Sequence, residues 1–411
     1  MKKITIVGLG YVGVPLAIAF HNKGFDVTGL DVSEKAVKRI TEGKFPESVV
    51  NKPKNLMKAT LNPEECLPNS DFIIVCVPTP LTKDKKEDTK YLIAATTTIS
   101  KYLKKGQTVI IESTTYPGTT EEVIKPILEK SGLKVGIDFG LAYSPERVDP
   151  GNLYPLEKIP KIVAGINRKY GEIVRDLYSQ IIERVVLVDS IKVAETTKVF
   201  ENTFRQVNIA FVNEFALFCE KSGINAYDVI KAASTKHAGF MAHYPGSGVG
   251  GDCIPVTPLF LSQKAKEYGL DFKFIELADK LNSQMPLHVV ELVEKNADKQ
   301  KPVLVLGISY KPNVSDMRNS PTEVIIQNLK SKGWKVHYFD PHVKSFSDFT
   351  SEENLENAID KCDTAVLSVA HDYFKKHDLE NLLKNKVVID TCNFFTGNCG
   401  RKYIGLGKPV K

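Results

Sequence analysis

The sequence has no run of about 18 apolar residues, which excludes a transmembrane helix. Its first apolar stretch, Ile4–Val7, is too short for a secretory signal and leads straight into a glycine motif. The seven cysteines are scattered, at positions 66, 76, 219, 253, 362, 392 and 399. An odd number with no signal segment predicts free thiols in a reducing cytoplasm. No Cys-x-x-Cys pair and no histidine cluster supplies zinc ligands, so no metal site is expected. Charge is nearly balanced: 55 Lys+Arg against 49 Asp+Glu leave +6. So weak a bias suits small anionic ligands and does not argue for nucleic acid. Short-period repeats and low-complexity segments are also missing.

What remains is the composition of a folded globular chain. Of 411 residues, 42% are hydrophobic and 25% charged. A prior of roughly 150 residues per domain predicts two or three domains. Up to about residue 190, short β-branched runs alternate with amphipathic stretches. Strands are expected at Ile4–Gly8, Val27–Asp31, Phe72–Val77, Val109–Glu112, Gly140–Tyr143, Lys161–Ala164 and Val185–Val188. That alternation predicts a mostly parallel sheet covered on both faces. From Lys192 to Ser222 neither Pro nor Gly interrupts the chain, and apolar residues recur at helical steps. The expected helix of about 30 residues would span roughly 45 Å and suits a domain bridge or a subunit interface. More helix follows to about Lys295, broken by a loop from Tyr244 to Pro258. The first pattern then returns, with strands at Val303–Gly307, Val336–Asp340, Thr364–Val369 and Val387–Asp390 and a helix at Thr322–Lys332. The expected fold class is α/β: two Rossmann-like doubly wound domains joined by a central helical domain. Lys83–Lys90 reads as a solvated charged loop.

Gly8-Leu-Gly10-Tyr11-Val12-Gly13 follows a strand and opens a helix. Gly8 permits the tight turn, Gly10 lets backbone approach a pyrophosphate, and Gly13 allows close helix–strand packing. The pyrophosphate would then meet free N–H groups at a helix N-terminus. Asp31 ends the next strand, where it can accept hydrogen bonds from ribose hydroxyls and repel a 2′-phosphate. NAD is therefore expected over NADP. The C-terminal half lacks the full motif; Lys311 and Arg318 stand before its helix, as charge partners for a phosphorylated ligand or as solvated surface cations. A second glycine-rich loop, Pro245-Gly-Ser-Gly-Val-Gly-Gly-Asp-Cys253, leaves its thiol either an accessible nucleophile or a buried structural group. A dehydrogenase has a use for the former. Thiolate attack on an aldehyde gives a thiohemiacetal, which oxidises to a thioester that water releases as an acid.

Taken in order along the chain, these motifs resemble the UDP-glucose/GDP-mannose dehydrogenase family. The resemblance rests on Gly8–Gly13, Ser113-Thr-Thr-Tyr-Pro-Gly, Ser144-Pro-Glu-Arg, Lys198 with Asn202, Gly250-Gly-Asp-Cys and Gly307-Ile-Ser-Tyr-Lys-Pro, and it covers nearly the whole chain. It implies oxidation of a nucleotide-sugar C6 alcohol to a carboxylate with reduction of two NAD. It implies a NAD-binding domain at 1–190, a central domain with the Cys loop at 191–295, and a UDP-sugar-binding domain at 296–411. Cys253 is the implied nucleophile. Lys198 and Asn202 are the implied oxyanion donors, Glu146 the group that assists thioester hydrolysis, and Thr114 the one that positions water. Tyr11, Val12, Thr79 and Thr114 join the glycines and Asp31 as implied cofactor contacts. Arg147, Arg205, Gly250, Lys311 and Arg318 join Glu146, Lys198 and Asn202 as implied substrate contacts. A homodimer built on the long helix, with Phe200, Phe204, Phe211, Phe215 and Phe218, is implied as well.

The chain also departs from the family pattern. Thr257 stands where an Asp is usual, four residues after the cysteine, and Asp252 stands where His or Ser is usual. No Arg occurs near Lys236–Gly239 to reach a neighbouring subunit's substrate; His243 and Lys236 are the candidate substitutes. Ser144-Pro-Glu-Arg-Val-Asp-Pro-Gly-Asn and Ile159-Pro-Lys look most like the UDP-N-acetylglucosamine 6-dehydrogenase branch, with N-acetylmannosamine second and UDP-glucose third. Two other readings stay open: a two-electron hydroxy-acid dehydrogenase, and a degenerate homologue that binds NAD and nucleotide sugar without full activity.

Overall fold

The computed structural model describes residues 1–45, 52–80, 88–148, 154–251, 253–397 and 399–409. The expected charged loop falls largely outside these, as does Asp252. The chain divides into two compact units, one of residues 1–201 and 259–270, the other of 202–258 and 271–411.

The first unit is built on an eight-stranded sheet. Its strands are β1 (Lys3–Val7), β2 (Asp26–Leu30), β3 (Lys58–Thr60), β4 (Phe72–Val75), β5 (Thr108–Ile111), β6 (Gly140–Tyr143), β7 (Lys161–Gly165) and β8 (Val185–Leu187). They lie in the order β3-β2-β1-β4-β5-β6-β7-β8. Every residue of β4, β5 and β6 is buried, which is why these strands read as continuous apolar runs rather than alternations. Ile6, Val14, Ile18, Phe20 and Ile74 form one apolar layer, and Ile73, Val75, Leu92, Ile99 and Tyr143 the other. β1 pairs in parallel with both β2 and β4. The strand order reverses between β1 and β4, so their C-terminal ends open the crevice where such sheets bind ligands.

The expected strands are all present. The short edge strand β3 was missed because Lys-Ala-Thr carries almost no apolar signal. The sheet is mostly parallel, with one exception: β7 runs antiparallel to β6. Among the described residues between them there is no crossover α-helix of the kind a parallel connection needs.

The second unit holds a five-stranded parallel sheet in the order β10-β9-β13-β14-β15. These are β9 (Val303–Leu306), β10 (Val336–Phe339), β13 (Thr364–Leu367), β14 (Val387–Asp390) and β15 (Lys402–Gly405). A hairpin of β11 (Ser345–Phe346) and β12 (Phe349–Thr350) follows β10. The short edge strand β15 and the two-residue strands of the separate hairpin were not expected from the sequence. Helices Lys273–Asn296 and Pro321–Ser331 cover one face of the sheet through Val289, Val293, Ile325 and Leu329. The long helix spans Ile191–Ser222, 32 residues without a break; residues to Glu201 belong to the first unit and those from Asn202 to the second. No helix among the described residues is long and apolar enough to cross a membrane.

Candidate active site

The glycine motif sits at the β1–β4 crevice with each glycine required for a different reason. Gly8 has φ +99, and a Cβ there would lie 2.8 Å from the Cys76 carbonyl oxygen. A Cβ on Gly13 would lie 1.9 Å from the Gly8 carbonyl oxygen. A Cβ on Gly10 would meet no atom of the protein within 4 Å. Gly10 is thus not needed for packing, and the space beside it is open to a ligand. The helix Gly13–Asn22 begins after Val12 with no side-chain cap and no acidic residue in its first turn, which leaves its N-terminal dipole to an anion. Tyr11 is half exposed beside it. Asp31 accepts the Leu9 N–H at 2.6 Å through Oδ2 and the Ser33 N–H at 2.8 Å through Oδ1. Those bonds fix the carboxylate, and it keeps lone pairs for ribose hydroxyls. The residues present therefore fit a dinucleotide.

The contrast between the glycines is measurable. Gly13→Ala should lower unfolding stability by about 3 kcal/mol, the upper end of overpacking costs. Gly10→Ala should leave stability within about 0.5 kcal/mol and weaken NAD binding by about tenfold or more. Thermal denaturation and NAD titration of the two variants check this.

Around the crevice, Thr79 Oγ1 donates to the Thr114 carbonyl at 2.6 Å, and Ser113 Oγ donates to the Val77 carbonyl at 2.7 Å. The loops after β4 and β5 are stitched together, with Thr114 at their rim. After β6 comes Glu146, which is 9% exposed. Its Oε1 accepts the N–H groups of Arg147 at 2.6 Å and Val148 at 2.5 Å. Its Oε2 faces Lys161 Nζ at 3.5 Å. Burial alone would raise its pKa; the charges of Lys161 and Lys198 and the two N–H groups outweigh this and hold the carboxyl below its usual range. Arg147 is committed elsewhere. Its guanidinium grips Glu201 at 2.6 and 3.2 Å and the Pro160 carbonyl at 2.7 Å.

In the second unit, Asn202 is buried on the long helix, one turn past Lys198. Its Nδ2 donates to Thr257 Oγ1 at 3.1 Å. The Thr257 N–H closes a turn onto the Cys253 carbonyl at 3.0 Å. Cys253 is exposed, whereas the other six cysteines are buried or half-buried. The glycines before it are packed, not slack. A Cβ on Gly250 would lie 2.6 Å from Tyr310 Cβ, and Gly251 has φ +79. The Gly251 N–H donates to the Arg318 carbonyl at 2.8 Å, and Asn319 Nδ2 donates to the Gly251 carbonyl at 3.1 Å. The loop that carries Lys311 and Arg318 therefore braces the cysteine loop through its backbone. Arg318 itself pairs with Asp316 through Nε at 2.9 and 3.1 Å. Arg205 and Lys236 are exposed, and His243 is half-buried with its ring 5.9 Å from that of Phe204.

Three residues beside Glu146 escaped the sequence reading: Lys161, Glu112 and Tyr178. One signal was available, a lysine heading the otherwise apolar run Ile162-Val-Ala-Gly165. The Asp340–His371 pair of the second sheet escaped too. Asp340 Oδ2 accepts the Ile308 N–H at 2.7 Å and faces His371 Nε2 at 3.1 Å. Its Oδ1 accepts the N–H groups of His342 and Val343. This aspartate braces the loop after β9 much as Asp31 braces the loop after β1, but it is 4% exposed.

Residues 2–182 match the NAD binding domain of the UDP-glucose/GDP-mannose dehydrogenase family, residues 192–284 its central domain and residues 304–397 its UDP binding domain. The UDP-N-acetyl-D-mannosamine dehydrogenase of Methanocaldococcus jannaschii is 36% identical over 95% of this chain and 92% of its own. The UDP-N-acetyl-D-glucosamine 6-dehydrogenase of Pseudomonas aeruginosa is 38% identical over 93% of each chain. The solved structure of a UDP-D-ManNAc dehydrogenase from Pyrococcus horikoshii superimposes with a TM-score of 0.89 at 34% identity, over 99% of both chains. With all three domains matched in order and a dinucleotide crevice of the fitting shape, the chain belongs to the UDP-glucose/GDP-mannose dehydrogenase family and is an NAD-dependent nucleotide-sugar dehydrogenase.

Proposed function

We propose that the protein oxidises the C6 hydroxyl of a UDP-N-acetylhexosamine to the uronate in two successive NAD-dependent steps, through a thioester on Cys253. The carrying observation is the thiol itself: Cys253 is the one exposed cysteine, on a glycine loop braced by Asn319 and the Arg318 carbonyl. NAD, when bound, would accept a hydride from the sugar carbon in each oxidation, and the hydroxyl proton leaves to solvent water. Everything else falls to the chain. Cys253 sulfur adds to the C6 aldehyde, which gives a thiohemiacetal; its oxidation leaves a thioester, and water cleaves the C–S bond to return the thiol and the acid. Lys198 and Asn202 donate to the C6 oxygen as charge develops there. Glu146 takes the proton of the attacking water, with Thr114 at the rim to hold that water. Asp31 disfavours a 2′-phosphate.

Residues 1–190 are assigned to NAD, 191–295 to the cysteine loop and dimer contact, with Gly250 as a substrate contact, and 296–411 to the UDP-sugar, with Lys311 and Arg318 as contacts. Lys311 and Arg318 lie on the loop that braces the cysteine loop, and Arg147, which also grips Glu201, and the exposed Arg205 complete the set. Phe200, Phe204, Phe211 and Phe218 are exposed on the long helix, at 64, 41, 69 and 57%. Such a stripe supports a homodimer, which light scattering at micromolar concentration checks.

The decisive assay counts NADH formed per UDP-sugar consumed, with UDP-N-acetylglucosamine, UDP-N-acetylmannosamine and UDP-glucose in parallel. Two NADH per sugar supports the proposal. One supports a simple two-electron dehydrogenase, and none a binding protein. The residue pattern puts N-acetylglucosamine first, while relatives with either N-acetylhexosamine in their names support the class rather than the epimer. Faster turnover of UDP-glucose than of both would overturn the N-acetylhexosamine assignment.

A further inference from the structure

We propose that Lys161 is a positioning residue for the hydrolytic step: it holds the Glu146 carboxylate oriented and ionised from beneath the site. This rests on the assignment of Glu146 as the base that activates water. Lys161 opens β7, and its ammonium lies between two carboxylates, 2.9 Å from Glu112 Oε2 and 3.5 Å from Glu146 Oε2. Its third neighbour is the Tyr178 ring, 5.0 Å from Nζ to the centroid. The Tyr178 hydroxyl donates to the other oxygen of Glu112. The Glu112 side chain is 0% exposed, that of Lys161 5% and that of Glu146 11%. Glu146 is therefore the most exposed member of the cluster among the described residues.

The stability of the fold does not account for this arrangement. A buried ion pair is often replaceable by apolar side chains at no loss, and the rest of β7 is Ile-Val-Ala-Gly. What the charge achieves is visible at Glu146. Oε1 is held by two backbone N–H groups, so Oε2 is the oxygen whose lone pairs serve a water. Lys161 is the side chain that fixes its direction. Among the described residues, the charged and titratable groups around Glu146 are Lys161 on β7, Glu112 after β5, Lys198 on the long helix, Cys76 after β4 and Tyr178 on the helix Arg168–Tyr178. The neighbouring Arg147 guanidinium is turned away onto Glu201. Of these, Lys161 and Lys198 favour the ionised form, and burial and the Glu112 carboxylate oppose it.

The sign of the expected effect follows. Loss of the Lys161 charge raises the Glu146 pKa, so the base becomes protonated at higher pH and the acid limb of the kcat profile moves up. Lys161→Met alone would strand the buried Glu112 charge, so the test uses the Glu112→Gln/Lys161→Met double variant, which removes both charges together. Its acid limb should lie at least about one pH unit above that of Glu112→Gln alone, since the two variants differ only in the Lys161 charge, with NAD affinity and thermal midpoint close to wild type. A merely structural role would lower kcat equally at every pH. Glu112→Gln alone keeps the Lys161 charge, and its limb should stay or move down. A double variant whose limb coincides with that of Glu112→Gln overturns the proposal, and so does an upward move in Glu112→Gln relative to wild type, which is the deciding result if the double variant fails to fold. Failure of the underlying assignment looks different: Glu146→Gln would then hydrolyse the thioester at the wild-type rate, whatever Lys161 does.

Discussion

Cys253→Ala should make no detectable uronate, a loss of at least about 10³-fold, while it binds NAD as tightly as wild type. The two halves of that result come from different places. The glycine motif and Asp31 belong to the first compact unit, and Cys253 to the second, so the substitution leaves the dinucleotide crevice untouched. In the proposed mechanism, removal of the thiol removes the covalent link on which the second oxidation and the final release both depend. Cys253→Ser should be nearly as poor, because a hydroxyl is a much weaker nucleophile at neutral pH. Iodoacetamide should label the wild-type thiol and be blocked by UDP-sugar; the six other cysteines, buried or half-buried, should react slowly. Uronate formation by the alanine variant at the wild-type rate would end the thioester mechanism for this protein.

The second large effect is expected at Glu146. Glu146→Gln keeps the side chain's size, and its carbonyl oxygen still accepts the Arg147 and Val148 N–H groups. It cannot take a proton from water. General base assistance is worth about 10² to 10⁴ in rate, so steady turnover should fall by that range. The oxidations need no such base at this position. A rapid burst of two NADH per site, then a stall, is the signature, with an acyl adduct on Cys253 visible by intact mass. An unchanged steady rate would remove Glu146 from the hydrolytic step. Thr257 offers no substitute base. It is 1% exposed and its hydroxyl accepts from Asn202, so it fixes the Asn202 amide, the proposed oxyanion donor. Thr257→Asp should raise the steady rate only if the stall already limits the wild-type enzyme.

The sequence by itself determined the elements whose signals are local. A strand buried on both faces must be an apolar run, so β1, β4, β5, β9 and β14 were legible in five or so residues each. The long helix was legible because nothing from Ile191 to Ser222 breaks it. Gly8 and Gly13 were legible because a left-handed turn and a close helix contact exclude side chains whatever lies elsewhere in the chain. Cys253 was legible as one of two alternatives, and exposure of its thiol depends on packing that no local pattern records.

Tertiary structure decided the rest, for a physical reason: whether a charged side chain is functional, structural or solvated depends on partners far away along the chain. Glu112, Glu146, Lys161 and Tyr178 are dispersed over 66 residues, and only the β5-β6-β7 pairing brings them together. The antiparallel turn of β7 sets that meeting, and it comes from how the chain returns after β6, not from the composition of β7. Arg147, a substrate contact implied by the family resemblance, also pairs its guanidinium with Glu201, 54 positions on. Asp31 and Asp340 end equivalent strands with the same residue type, yet one keeps an open side towards the crevice and the other is enclosed by His371 and backbone N–H groups. Neighbours in space, absent from the neighbourhood in sequence, made that difference.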